Sequence, residues 1–470
     1  MSLRDRRTEP GIINCPLLQR DAPTARGPPL NWLLTLRIDK PPFLITLDVL
    51  AGALVLYLLI RPTWRRTLAG LTAAVAGGLL GWFVVWLCTD VLDLFGVALT
   101  PVTTLWTALG FGSVSLAIAN LFRSRWWRKV IAAFSIPVFL AAAFCGINAD
   151  FGAYRNGNDV LGVVPYGALQ LHSERGEVVA GTDWRATADP APADPAPADP
   201  PATLPAKGEV GTVRIPATES RFPARKAVVY LPPVALTANP PALPVLYALS
   251  GQPGAPADMF TAGRVAAVMD AFAAKHDGYA PIVVAPDQLG GPGRNPMCVD
   301  SRDYGDSATY LLTDVRNWVR SNLRVSSDPA GWGVFGYSQG ATCAVQFATG
   351  RPDLFGSALA SSSELGPTLG NEALTISTGF GGSKQAYEQA QPSALLKAHA
   401  PYRDSVMVFG AGANDAKYSG FARTLYREAE QARVHAYLLS SPGTAHDWKT
   451  VRYVLAHGFP LIAPQLGLGS

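Results

Sequence analysis

The sequence is poor in the patterns that bind metals and nucleotides. Its five cysteines include no C-x-x-C pair, which argues against a cysteine zinc site. It has no H-E-x-x-H, no P-loop and no G-x-G-x-x-G, so neither a metal ligand set nor a phosphate-cradling loop is expected, and no cofactor is implied. Charge is sparse: charged residues make up 16% of the chain, and the net charge is +4. No dense basic stripe with interleaved aromatics crosses the C-terminal part, so nucleic acid is not an expected partner. A chain of 470 residues has room for two or three structural units.

Long apolar runs are present, and they are confined to the first third. They cover Phe43 to Ile60, Thr67 to about Leu87, about Thr104 to Phe122, and Val130 to Ile147. Each approaches the roughly 20 residues that cross a bilayer as a helix. Four in succession, with short connections, predict a transmembrane region over 43–147 behind an N-terminal segment 1–42. A cleaved signal peptide fits badly, because the first run begins after residue 40. Arg61, Arg65 and Arg66 follow the first run, and Arg123, Arg125, Arg128 and Lys129 follow the third. The loop between runs two and three carries Asp90 and Asp93 and no basic residue. By the positive-inside rule the arginine-rich loops are cytoplasmic. Everything after residue 147 then lies outside the cell membrane; Arg37 and Lys40 count against this orientation but are outnumbered.

Residues 148–207 read as an extracytoplasmic stalk and linker. Ala188 to Pro201 is an imperfect Ala-Pro-Ala-Asp-Pro repeat, and proline at that density favours extended polyproline II. It is expected to act as a semi-rigid spacer that holds a domain off the membrane.

From about residue 208 to 470, strand-like runs alternate with helix-like ones. The strand-like runs include Lys226–Leu231, Val245–Leu249, Pro281–Ala285, Trp332–Phe335, Ser357–Ala360, Ser405–Phe409 and Val434–Leu439. Near-continuous apolar strands between helices predict an α/β domain with a mostly parallel sheet covered on both faces. Its centre is Gly336-Tyr337-Ser338-Gln339-Gly340, a G-x-S-x-G between a strand and a small-residue helix. Alone, the pentapeptide is also compatible with an ordinary strand-to-helix turn. A serine nucleophile needs a base, and the base an orienting acid, which in α/β-hydrolases follow in the order Ser, Asp or Glu, His. His435 lies in a strand, His457 on a late helix, and His399 ahead of any acid-bearing strand end. His446, in a glycine loop after the last strand, is the expected base. Asp415, after the strand Ser405–Phe409, is the expected acid; its other plausible role is a helix cap, and Asp447 is the competing acid. The oxyanion donors are expected to be the backbone amides of Gln339 and Gln252. Cys298 and Cys343 are this domain's only cysteines, and in an oxidising compartment they are expected to pair, tying the Gly-rich loop to the elbow helix; the alternative is two buried free thiols.

These motifs, with Leu249-Ser250-Gly251-Gln252, Val284-Ala285-Pro286-Asp287, Asn414-Asp415 and His446-Asp447-Trp448, resemble those of the family named Putative esterase. That family of α/β-hydrolases includes esterase-D-like enzymes, enterochelin esterases and mycolyltransferases. Many relatives carry His or Asp where this chain has Ser250. The layout is similar to that of membrane-anchored actinobacterial esterases, some of which are associated with hydrolysis of aminoacyl-phosphatidylglycerol. The resemblance implies a serine hydrolase acting through an acyl-enzyme on an ester or lipid substrate. Two other readings stand beside it: a mycolyltransferase-like acyltransferase, and a non-catalytic interaction module.

Overall fold

The computed structural model describes residues 31–94, 96–122, 124–171 and 204–469. Among them are four helices long and apolar enough to cross a membrane: α1 Pro41–Leu59, α2 Trp64–Trp86, α3 Pro101–Leu121 and α4 Trp126–Phe151. Pro41 and Pro101 stand in first turns, where a missing N–H costs nothing. Thr100 caps α3 by accepting from the Thr103 amide. Gly152 ends α4 in the left-handed region, with φ of 67°. Helices α2 and α3 touch backbone to backbone through small residues: a Cβ on Gly112 would stand 2.8 Å from the Ala74 carbonyl. At the opposite end, the Arg128 guanidinium donates to the carbonyls of Tyr57, Leu58 and Ile60, which close α1.

The C-terminal part is an α/β-hydrolase fold. The strands of its main sheet are β1 Glu209–Val213, β2 Ala227–Leu231, β3 Val245–Leu249, β4 Ile282–Ala285, β5 Trp332–Tyr337, β6 Ser357–Ser361, β7 Val406–Gly412 and β8 His435–Ser441. They form one sheet in the order β1-β2-β4-β3-β5-β6-β7-β8. β2 runs antiparallel to β1 and β4, and the remaining pairs are parallel. Strands β2 to β7 are buried along their whole length, which their unbroken apolar sequences require. Side chains alternate between two cores: Val245, Tyr247 and Leu249 enter one, Leu246 and Ala248 the other. Register brings Leu249 beside Gly336, Tyr337 beside Ser361, and Ser361 beside Gly410, so the carboxyl ends of the central strands finish level.

Three features depart from the expectations. β1 carries Gly211 in a short, weakly apolar run and was not expected as a strand. The helix-like run expected between Val245–Leu249 and Pro281–Ala285 is broken into Asp258–Thr261 and Val265–Ala273, with Arg264 left-handed between them. The expected stalk is corrected over residues 148–171, which do not stand free. The Asn148 side chain holds the backbone of Tyr154 through two hydrogen bonds of 2.8 Å. Leu169 is buried in the sheet's core, and Ala168 pairs with Thr212 of β1. The backbone of Gly167 and Leu169 bonds to Thr212, one residue on the open edge of β1, and so ties the segment that follows the bundle to the sheet. The Ala-Pro-Ala-Asp-Pro spacer lies outside the described residues.

Candidate active site

β5 ends in a sharp turn into helix α5, Gln339–Gly350. Ser338 occupies that turn at φ 53° and ψ −117°, a strained conformation for a residue with a Cβ. The two glycines make the turn possible. A Cβ on Gly336 would overlap the Gly340 backbone, and one on Gly340 would overlap the Leu249 carbonyl. The turn is held by the Ser338 amide donating to Ser361 at 2.9 Å and the Thr342 amide donating to Ser338 at 3.0 Å.

His446 Nε2 lies 3.0 Å from Ser338 Oγ, and His446 Nδ1 lies 3.3 Å from Asp415 Oδ2. The side chains of His446 and Asp415 are 9% and 10% exposed. Asp415 follows β7 and caps helix α6, Ala416–Gln431; its Oδ1 accepts from the Tyr418 amide while Oδ2 faces the imidazole. Capping and orienting are thus compatible roles for the two oxygens of one carboxylate. Asp447 is differently engaged. It caps helix α7, Trp448–Ile462, accepting at 2.9 Å from Thr450 and at 2.9 Å from Ala445. These bonds fold the His446 loop, and they leave Asp415 as the carboxylate on Nδ1.

The imidazole lies between two phenols, with ring centroids 4.2 Å from Tyr418 and 5.2 Å from Tyr337. Burial pushes both phenols well above the ordinary tyrosine range, so they stay neutral beside the imidazole. The Tyr418 hydroxyl donates to Glu364 at 2.6 Å. Neither ring was singled out from the sequence. Tyr337 sits inside the motif, but a motif position carries no information about which way its ring turns.

Both expected oxyanion segments lie close to Ser338. A Cβ on Gly251 would come within 3.5 Å of the Ser338 Cβ. Gln339 opens α5, where the first backbone N–H groups have no partner within the helix. The Gln252 side chain is exposed, and its amide reaches toward the Gly293 carbonyl at 3.5 Å. Gln288, fully buried, joins the two segments. Its Nε2 donates to the Ser250 carbonyl at 2.6 Å and to Gln339 Oε1 at 3.2 Å. Arg225 makes a two-pronged pair with the buried Asp287, at 2.8 and 2.7 Å, and also donates to the Gly254 carbonyl. Sequence reading passed over Gln288 and Arg225, although Asp287 lay within a noted motif. Cys298 and Cys343 are disulfide-bonded, with Cα atoms 5.7 Å apart. Gln339 Nε2 lies 3.3 Å from the Cys343 sulfur.

Strand order and the serine turn define an α/β-hydrolase. Residues 223–452 match the model of the family described as Putative esterase, in agreement with the resemblance carried by the motifs. An uncharacterized protein of Corynebacterium glutamicum is 36% identical over 256 residues, which is 53% of this chain and 59% of that protein. Among solved structures, a ferulic acid esterase is 18% identical at a TM-score of 0.46, covering 55% of this chain and 99% of the other. An S-formylglutathione hydrolase from Agrobacterium tumefaciens is 19% identical at 0.45, with coverage of 56% and 97%. MPT51 (FbpC1) of Mycobacterium tuberculosis is 19% identical at 0.40, with coverage of 55% and 98%.

Proposed function

We propose that the chain is a membrane-anchored serine esterase, with Ser338, His446 and Asp415 as its triad. His446 Nε2 takes the hydroxyl proton as Ser338 Oγ bonds to the ester carbonyl carbon. Asp415 holds the ring in the tautomer with its proton on Nδ1 and favours the imidazolium as it forms. The amides of Gln339 and Gln252 receive the developing oxyanion. His446 then gives its proton to the leaving alcohol, and the C–O bond breaks to leave an acyl-enzyme. Water, deprotonated by the same imidazole, releases the acid and restores Ser338. The observation that carries this reading is the 3.0 Å approach of His446 Nε2 to Ser338 Oγ, with Asp415 on the far nitrogen.

The catalytic domain is assigned to the outer side of the cell membrane on the loop charges. The substrate class we infer is an ester of the cell envelope or of a membrane lipid, with aminoacyl-phosphatidylglycerol as the candidate that the resemblance offers. The test has two parts. A fluorophosphonate should label the full chain in detergent at Ser338 and fail on Ser338→Ala; an unlabelled wild-type chain would leave only the non-catalytic module. A panel of simple and lipid esters, run with and without an alcohol acceptor, then separates release of free acid from acyl transfer.

A further inference from the structure

The two loops that carry Asp415 and His446 each lead into a helix whose opening turns are tied to the bundle. Two residues after Asp415, Lys417 Nζ donates to the Gly96 carbonyl at 2.7 Å, in the segment joining α2 to α3. Three residues after His446, Lys449 Nζ lies 3.9 Å from Asp150 of α4. One turn further along α7, Arg452 donates at 2.9 Å to the Gly152 carbonyl at the end of α4. The two anchor points on the bundle are braced together, because the hydroxyls of Thr100 and Thr103 at the start of α3 donate to Asp150. Between the ties, Val97, Ala98 and Phe151 lie against Ala445, His446 and Asp447 across a narrow crevice.

We infer that this end of the bundle is a clamp that sets the spacing of the Asp415 and His446 loops, which makes the apolar helices a positioning part of the active site. The inference rests on the triad reading above. Its physical basis is the weakest link in that triad. The His446–Asp415 separation of 3.3 Å is longer than the roughly 2.7–2.9 Å of a strong charge-assisted hydrogen bond, so it is sensitive to small loop movements. The helices that follow both loops are tied to a single braced corner, and in this reading that corner fixes the distance between the loops. A misplacement of about 1 Å in catalytic geometry costs about 10²-fold in rate. The ties are partly exposed, so losing one should cost a fraction of that.

The test uses the full chain and a soluble short-chain ester, so that no lipid need reach the bundle. Asp150→Asn keeps an acceptor for the two threonines and removes the charge facing Lys449. Lys417→Ala removes the bond to Gly96 and the 3.9 Å pair with Glu364, so Glu364→Gln, which loses only the pair, is the control and should turn over as the wild type. We expect kcat to fall roughly threefold for the first, fivefold for the second and tenfold or more together, within the range that displacement of a catalytic group allows. KM should stay within about twofold, fluorophosphonate labelling should slow in step with kcat, and Lys417→Arg should restore most of both. A double variant that labels and turns over as the wild type overturns the clamp. So does a loss that appears in KM alone, or one that follows a lowered melting temperature and is not rescued by arginine. Wild-type chain that is not labelled at Ser338 would instead overturn the triad reading, and the clamp with it.

Discussion

The bundle and the hydrolase domain use the same apolar residues in opposite ways. Val49 and Leu79 are 66% and 63% exposed on the bundle, whereas Leu246 is completely buried in the sheet. In the hydrolase domain, removing apolar surface from water drives assembly. Between helices long and apolar enough to cross a bilayer, lipid would remove that force, and close packing of small residues takes its place. The glycines mark the same contrast. Gly112 lets two helices approach, while Gly336 and Gly340 let one chain turn back sharply enough to present a hydroxyl.

The strongest way to break the comparison is chemical. Ser338→Ala and His446→Ala should each lower esterase turnover on the order of 10³-fold or more, with melting of both regions unchanged. Asp415→Asn should be nearly as severe, since it lets the imidazole settle in the wrong tautomer. Asp447→Asn sharpens the assignment, because its oxygens accept from Ala445 and Thr450 and do not face the ring. Asn can still cap Thr450, but its NH2 cannot accept from the Ala445 amide, so the change should cost about 1 kcal/mol of stability and keep turnover within roughly tenfold. Equal losses from the two aspartates would overturn the division of roles between them.

Gln288→Leu should come next. It removes the donor shared by Ser250 and Gln339 without emptying the space, and turnover should fall by roughly tenfold, less than the 10²–10³-fold of a lost oxyanion donor. The check is kcat measured alongside a thermal midpoint. Gly112→Leu should have the smallest effect on chemistry and the largest on the bundle. It forces α2 and α3 apart near Ala74, so the full chain should unfold at lower detergent or temperature stress while turnover on a soluble ester changes severalfold at most. A collapse of turnover at unchanged stability would contradict it.

The legibility of the molecule follows the range of the interactions. The elbow can be read locally, because only residues without a Cβ fit at Gly336 and Gly340. Ser338, Asp415 and His446 were picked out by chain order, which reflects the order of parallel strands. The four apolar helices announce themselves by length and composition. The structure added what depends on distant pairs. Gln288 is one glutamine among many until the fold sets it under Ser250. Tyr418 is the third residue after Asp415 in sequence, yet its ring packs, tilted at 45°, on an imidazole contributed by another loop. Lys417 and Gly96 are 321 positions apart, and no local pattern links them. β1 was missed because its strand character comes from its partners on both edges, β2 and the segment around Ala168, more than from its own residues.

That last pairing bears on how the molecule can be divided. The amide of Leu169 donates to the Thr212 carbonyl, and the Thr212 amide donates to the Gly167 carbonyl. A piece of chain on the bundle side of the proline-rich stretch is therefore part of the sheet's edge. Severing the chain at an engineered site within 172–203 should give a split enzyme whose halves co-purify, held by these bonds and by the lysine and arginine ties. A recombinant fragment started at residue 208, by contrast, would present β1 as a bare edge. Unpaired edges recruit other strands, so such a fragment should self-associate. One started at residue 152 keeps the Gly167 and Leu169 bonds to Thr212 and should self-associate less.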